Sequence, residues 1–211
     1  MVLREGCAPV DPRAERTIDA VLRAAEQLFS TRPITDVTVE EIAAAAGVAV
    51  GSVYNHFGSK AGVHIALVER ALDTDRHFMD LAYTDGRSPL EQLYAAAEEY
   101  LAFYLKNPEY FRMLAFPVDP GSYAAGRELA ERLAKSVDEQ NGRMVEAIRL
   151  GIEAGAIREI DPEDAATVLW AAWNGIISLG WRPDSLQRSE EDLRRLLRLA
   201  TEAVAHGLLL E

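Results

Sequence analysis

Apolar side chains recur along this chain at helical spacing. Ile18, Val21, Leu22, Ala25, Leu28 and Phe29 stand at i, i+3, i+4, i+7, i+10 and i+11, one stripe of an amphipathic helix. The stretch Thr31–Asp36, with Pro33, reads as a turn. Thr38 stands three residues before Glu41, a capping box that opens a second helix with Val39, Ile42, Ala43 and Ala46 inward. Gly47 ends it, because glycine takes the left-handed conformation that the turn needs. A third short helix spans about Ala49 to His56, and a fourth runs from after Ser59 to about Leu81. Ser88-Pro89-Leu90-Glu91 starts another, which runs to about Lys106. Asn107-Pro108 breaks it and starts a short successor ending near Phe116. After a loop at Pro117–Ser122 comes a long helix to about Ala154, with Leu129, Leu133, Val137, Met144, Ile148 and Ile152 along one side and Gly155 as its stop. Asp161-Pro162-Glu163-Asp164 caps the next, to about Gly180. Ser189-Glu190-Glu191 caps the last, striped with Leu193, Leu196, Leu197, Ala200 and Val204. No stretch carries a convincing strand pattern and no repeat stands out. The fold class is all-α, with about nine helices.

The 211 residues are 49% hydrophobic and 27% charged, enough apolar material for one large domain or two small ones and too much for a disordered chain. A single cysteine, Cys7, excludes a disulfide framework and any multi-cysteine metal cluster, and reads as a free thiol near a terminus. Met1–Asp11 has no charged start followed by an apolar run, so no signal peptide is expected. The longest uncharged apolar stretch, Ala165–Trp181, contains Asn174 and falls short of a membrane span, which makes it a buried or interface helix. A cytoplasmic protein without a membrane partner is the expectation.

The net charge of −12 excludes a protein that attracts nucleic acid by its overall charge, although not one with a local binding face. The acid is unevenly spread. Residues 1–60 hold 6 basic and 8 acidic side chains, whereas residues 61–211 hold 16 and 26. Catalytic signatures are missing. Ser178 in Gly175-Ile-Ile-Ser-Leu-Gly has the wrong spacing for a nucleophile elbow, and Gly58-Ser59-Lys60 lacks the order of a phosphate-binding loop. There is no H-E-x-x-H, and none of the four histidines follows a glutamate at i−3. No enzymatic activity, catalytic residue, metal site or cofactor is therefore expected.

Thr38–Lys60 is the informative region. Two short helices joined at Gly47-Val48 have the proportions of a helix-turn-helix. Val53 and Phe57 would hold the second of them against its neighbours. Val50, Ser52 and Asn55 face outward and are small enough for a major groove. Tyr54, His56 and Lys60 follow, with hydroxyl, imidazole and ammonium groups that can reach phosphates. A generic helical hairpin that uses the same small residues for packing fits this spacing equally, and His56 has a second reading as a buried helix-end cap.

The run Ile42-Ala-Ala-Ala-Ala-Gly-Val-Ala-Val-Gly-Ser-Val-Tyr-Asn-His-Phe-Gly-Ser-Lys60 resembles the DNA-binding signature of the TetR family of transcriptional regulators. The first helix, with Ala24-Ala25 and Leu28-Phe29, is similar to that family's opening helix. Gly151-Ile-Glu-Ala-Gly, Asp161-Pro, Ala165-Ala166, Trp170 and Asn174-Gly175 resemble its C-terminal domain more loosely. The resemblance implies a helix-turn-helix DNA-binding domain at 1–60 and an effector-binding and dimerisation domain at 61–211. It implies that Thr38 bonds a phosphate, that Val50, Gly51, Ser52 and Asn55 face base edges, and that Tyr54, His56 and Lys60 grip the backbone. Ala49 departs from the pattern, standing where a capping Ser or Thr is common, and Ala61 replaces an acidic residue. Glu40 and Glu41 put negative charge near the presumed DNA face, so affinity must rest on a few well-placed bases, Arg13 and Arg16 among the candidates.

One helix-turn-helix reads too few bases to find a site, so a homodimer on a palindromic double-stranded operator is expected. The last two helices are candidates for its interface: Gly175 allows close approach, with Ile176 and Leu179 beside it, and Leu193, Leu196, Leu197, Ala200 and Val204 form a stripe. The same stripes could face the protomer's own core. Aromatics concentrate between Tyr94 and Trp173, as they would around a small-molecule site or in ordinary packing. With the family's effector pocket in mind, the lining expected is Tyr100, Phe103, Tyr104, Phe111, Phe116, Met144, Trp170, Trp173 and Asn174, for a mainly hydrophobic effector. No buried charge offers itself as its polar handle. The function this implies is a DNA-binding regulator, most simply a ligand-relieved repressor; the alternative is a helical bundle that binds a small molecule or a protein partner but not DNA.

Overall fold

Capping chemistry sets most helix starts. In the computed structural model, which describes residues 11–116 and 126–207, Asp11 accepts a hydrogen bond from the Arg13 amide and opens α1 (Pro12–Thr31). A 3-10 turn at Ile34–Asp36 leads to Thr38, whose side chain forms the expected reciprocal box with Glu41 and opens α2 (Val39–Ala46). Gly47, at φ 68° and ψ 31°, ends α2 in the left-handed region. Then come α3 (Val50–Phe57) and α4 (Lys60–Ala82). Ser88 and Glu91 make a second capping box at α5 (Pro89–Lys106), and α6 (Pro108–Ala115) follows the Asn107-Pro108 break. After α7 (Gly126–Glu153), Asp161 accepts from the amides of Glu163 and Asp164 to start α8 (Pro162–Ser178), and Ser189 caps α9 (Glu190–His206). Among the described residues there are nine α-helices and no strand. Cys7, the Pro117–Ser122 loop, Tyr123 and the Leu129 side chain lie outside them.

The chain divides into two compact units, whose described residues run 11–69 and 70–207 apart from the segment 117–125. The division falls inside α4, further along than Lys60, because the first turns of α4 are tied to the helices before it. Phe29 meets the His64 ring edge-on, with centroids 5.8 Å apart. In the first unit α1, α2 and α3 pack around Val21, Ala25, Ile42, Val53 and Val63, each fully buried or within 1% of it.

The second unit is an α-bundle in which α5 packs on α7 and α9, and α8 lies against both α7 and α9. Leu101, Phe103, Phe111, Ile148, Leu169 and Ile177 form its fully buried centre. The α8–α9 contact is polar at one point. The Trp173 indole N–H donates to Thr201 Oγ1 at 3.3 Å, and that hydroxyl donates to the Leu197 carbonyl at 2.9 Å. Pairing these groups matters, because a buried indole N–H without an acceptor costs about 1–3 kcal/mol. No helix among the described residues is long and apolar enough to cross a membrane.

Candidate nucleic-acid interface and effector cavity

On α3 the inward positions are Val53, fully buried, and Val50 and Phe57, half-buried. The outward positions are Gly51, Tyr54, Asn55 and His56, all exposed, with Ser52 at the margin. Tyr54 shows nearly half its surface to solvent. Among the described residues no hydrogen bond occupies the side chains of Ser52, Tyr54, Asn55 or His56. His56 is thus no buried helix-end cap. Ala49, at the N-cap of α3, makes no side-chain capping bond, as its methyl group requires.

Two expected phosphate contacts are otherwise engaged. Lys60 Nζ donates to the carbonyls of Ile34 at 2.7 Å, Thr35 at 3.2 Å and Val37 at 2.7 Å. An ammonium has three donors, and all three are spent. Lys60 is therefore a strut that ties the start of α4 to the segment before α2. Thr38 Oγ1 accepts from the Glu41 amide and donates to Glu41 Oε2, each at 3.2 Å, so its hydroxyl belongs to the helix cap. Glu41 itself is held below the usual carboxylate range, first by the Thr38 amide and then by Arg32, whose guanidinium reaches it at 2.9 Å. That pairing takes one of the two expected acidic charges off the interface. Glu40 stays exposed, as do Arg13 and Arg16.

The joint between α3 and α4 is tight. A Cβ on Gly62 would stand 1.9 Å from the Phe57 carbonyl oxygen, a distance no side chain can hold. Gly62 sits inside a helical pattern with nothing local in the sequence to mark it.

In the second unit a cavity of about 70 Å³ opens between α4, α5, α6, α7 and α8. Of the expected lining it has Tyr100, Phe103, Met144, Trp170 and Trp173. Four expected residues lie elsewhere. Tyr104, Phe111 and Phe116 gather around Trp181, with ring centroids 5.3–6.0 Å apart, and the Arg112 guanidinium covers that ring at 5.1 Å. Asn174 is buried and accepts from the Tyr100 hydroxyl at 2.9 Å, fixing the ring that lines the cavity. The wall outside the expected lining comes from α4 and α7: Leu72, Asp75 and Met79 on one, Ser136, Gln140 and Asn141 on the other. Asp75 Oδ1 and Gln140 Oε1 have no hydrogen-bond partner, and burial pushes the Asp75 carboxyl up to about 7. Its signal was present: Leu67, Val68, Ala71, Phe78, Met79 and Ala82 are buried in α4, and Asp75 interrupts their stripe.

The α9 stripe also divides differently. Leu193 and Leu197, each 1% exposed, face the protomer's own core with Thr201 and Ala205. Leu196, Ala200 and Val204 are half-buried, as are Ile176 and Leu179. Gly175 is exposed, and a Cβ there would meet nothing. Val168, Ala171 and Leu199 are exposed apolar neighbours on the same helices, with Val168 at 56% and Leu199 at 53%.

Comparison with known proteins gives two family matches. The model of bacterial regulatory proteins of the tetR family matches residues 21–67, and that of the tetracyclin repressor-like C-terminal domain matches residues 93–204. The chain is 38% identical over 93 residues to the HTH-type transcriptional repressor BepR of Brucella suis biovar 1, over 42% of this chain and 44% of that protein. That alignment spans less than half of the relative's length. It is 26% identical over 155 residues to the HTH-type transcriptional repressor NicS of Pseudomonas putida, over 72% of this chain and 69% of that one. Among solved structures, a bacterial regulatory protein in the tetR family from Rhodococcus RHA1 superposes with a TM-score of 0.76 at 19% identity, covering 90% of this chain and 97% of the other. AibR, solved in complex with isovaleryl coenzyme A and operator DNA, gives 0.72 at 17% identity, over 90% and 98%. At these identities the structural likeness is one of fold.

Proposed function

Since the chain belongs to the tetR family and is a DNA-binding transcriptional regulator, we propose that it acts as a homodimeric, ligand-relieved repressor on a palindromic operator. The exposed face of α3 carries this reading: Gly51, Tyr54, Asn55 and His56 point away from the core with no internal partner to satisfy them. Gly51, Ser52 and Asn55 read base edges, while Val50, expected among them, turns inward beside Val53; the Asn55 amide is suited to paired donor and acceptor contacts with an adenine. Tyr54 and His56 bind phosphates and set the register. Thr38 contributes only through the cap that orients α2, and Lys60 only through its strut.

The dimer forms through the outer faces of α8 and α9, with Gly175, Ala171 and Val168 on one and Leu196, Leu199, Ala200 and Val204 on the other. Gly175, Ala171 and Val168, exposed at helical spacing along one side of α8, and exposed Leu199 on α9 support this, since large apolar side chains left in solvent suit an association site. Effectors occupy the cavity lined by Leu72, Asp75 and Met79 of α4. That helix begins at the Lys60 strut, so a ligand that favours another setting of α4 carries the paired reading heads out of register with major grooves about 34–36 Å apart.

Selection of bound duplexes from a random DNA pool tests the reading. The expected result is enrichment of a palindrome that Tyr54→Phe and His56→Ala bind more weakly. Failure to enrich any sequence, repeated after unfolding and refolding to strip a retained ligand, would leave a helical bundle without DNA binding.

A further inference from the structure

The cavity of the second unit presents two acceptors without donors. Asp75 is nine-tenths buried, and neither its Oδ1 nor Gln140 Oε1 receives a hydrogen bond. The cations nearby are committed elsewhere. The Arg76 guanidinium lies 3.4 Å from Glu139 and 3.5 Å from Asp73. Arg143 pairs with Asp80 at 2.7 Å and covers the Tyr83 ring. The hydroxyl of Tyr100, also in the lining, is given to Asn174. The rest of the wall is mostly apolar and aromatic, including Phe103, Trp170 and Trp173, with Ser136 and Asn141 as further polar side chains.

A buried acceptor left without a donor is costly, and a buried carboxylate more so, unless something supplies N–H groups or positive charge. What would satisfy this cavity is a cation that donates two hydrogen bonds and has an apolar body. The surrounding rings favour the same charge, because their faces attract cations. Resting on the reading of this cavity as the effector site, we propose that the effector is a lipophilic amine whose ammonium group bonds Asp75 and Gln140 while its apolar part lies against Phe103 and Trp173. The amine supplies both missing donors at once, which a carboxylate cannot do and a neutral alcohol does only by half. Burial that holds the Asp75 carboxyl near a pKa of 7 acts in the same direction, since an arriving ammonium restores the charged form.

The test uses matched sets of small aromatic and alkyl compounds, each as the primary amine, the alcohol and the carboxylate on one carbon skeleton. Binding to the full-length protein is read by calorimetry at a pH above 7. Amines are expected to bind about tenfold or more tightly than their alcohols, the scale of a charge-assisted hydrogen bond, with carboxylates weakest. In Asp75→Asn the amine preference is expected to vanish while alcohols bind as before, and Gln140→Leu is expected to weaken the amines alone. Preference for carboxylates or alcohols, an unchanged amine preference in Asp75→Asn, or no binding by any amine would each overturn the proposal. Adding the bound compounds to the protein–DNA complex separates the two readings. Amines that bind through Asp75 yet leave DNA affinity unchanged would count against the effector reading alone. Neutral compounds that bind tighter than amines and release DNA would count against the amine alone.

Discussion

At the scale of single residues, the first unit turns on side chains that work inward although their positions suggest otherwise. Lys60 ends a motif whose neighbours face solvent, and only the three-dimensional course of Ile34–Val37 shows where its ammonium goes. Lys60→Met is expected to destabilise the protein by about 1.5–3 kcal/mol, since three carbonyls lose a charged donor. The salt dependence of DNA binding should stay the same; a lysine on a phosphate would change the slope by about one per protomer. Gly62→Ala puts a methyl against the Phe57 carbonyl, so urea unfolding should show a loss of about 1–3 kcal/mol, unlike alanine at an ordinary exposed helix position. Asp75 gives a pH signature. Its folded pKa of about 7 lies above the ordinary 3.8 of an aspartate, so the native state holds the proton longer than the unfolded chain. Its penalty therefore grows as pH rises from about 4 to 7 and is constant above. Asp75→Asn should raise the melting temperature at pH 8, by a free energy on the order of a few kcal/mol, and have little effect near pH 4.

At the scale of elements, helix starts were legible because their signals are local. Thr38–Glu41, Ser88–Glu91 and Asp161 each satisfy amides within three residues, so the sequence contains the whole interaction. Which face of a helix turns inward is decided by neighbours far away in the chain. On α9 two adjacent stripes, Leu193–Leu197 and Leu196–Ala200–Val204, are equally apolar. The buried stripe is the one completed by Thr201, a polar residue whose place is explained only by the Trp173 indole N–H. The cavity was half legible for the same reason. Aromatic residues announce apolar space, but whether Tyr104 joins Tyr100 or Trp181 depends on helix packing. Mutation separates the two stripes. Leu193→Ala should cost about 2–5 kcal/mol of stability as a core truncation. Leu199→Glu should leave the protomer folded and shift sedimentation from dimer to monomer; an unchanged dimer would place the interface elsewhere.

At the scale of the whole molecule, a chain with a net charge of −12 is proposed to bind a polyanion through the small exposed face of α3. Glu41 is paired with Arg32 there, and on that proposal sequence discrimination rests on few side chains. Attraction for DNA in general is therefore modest, and the salt slope for the dimer should be gentler than about −10. The most direct test of base reading by α3 is an equilibrium titration of two duplexes, the selected palindrome and a shuffled sequence, with wild type and with Asn55→Ala. Base reading by α3 predicts that Asn55→Ala weakens binding to the palindrome by about tenfold or more while binding to the shuffled duplex is unchanged. Equal loss on both duplexes, or no loss on either, would contradict it.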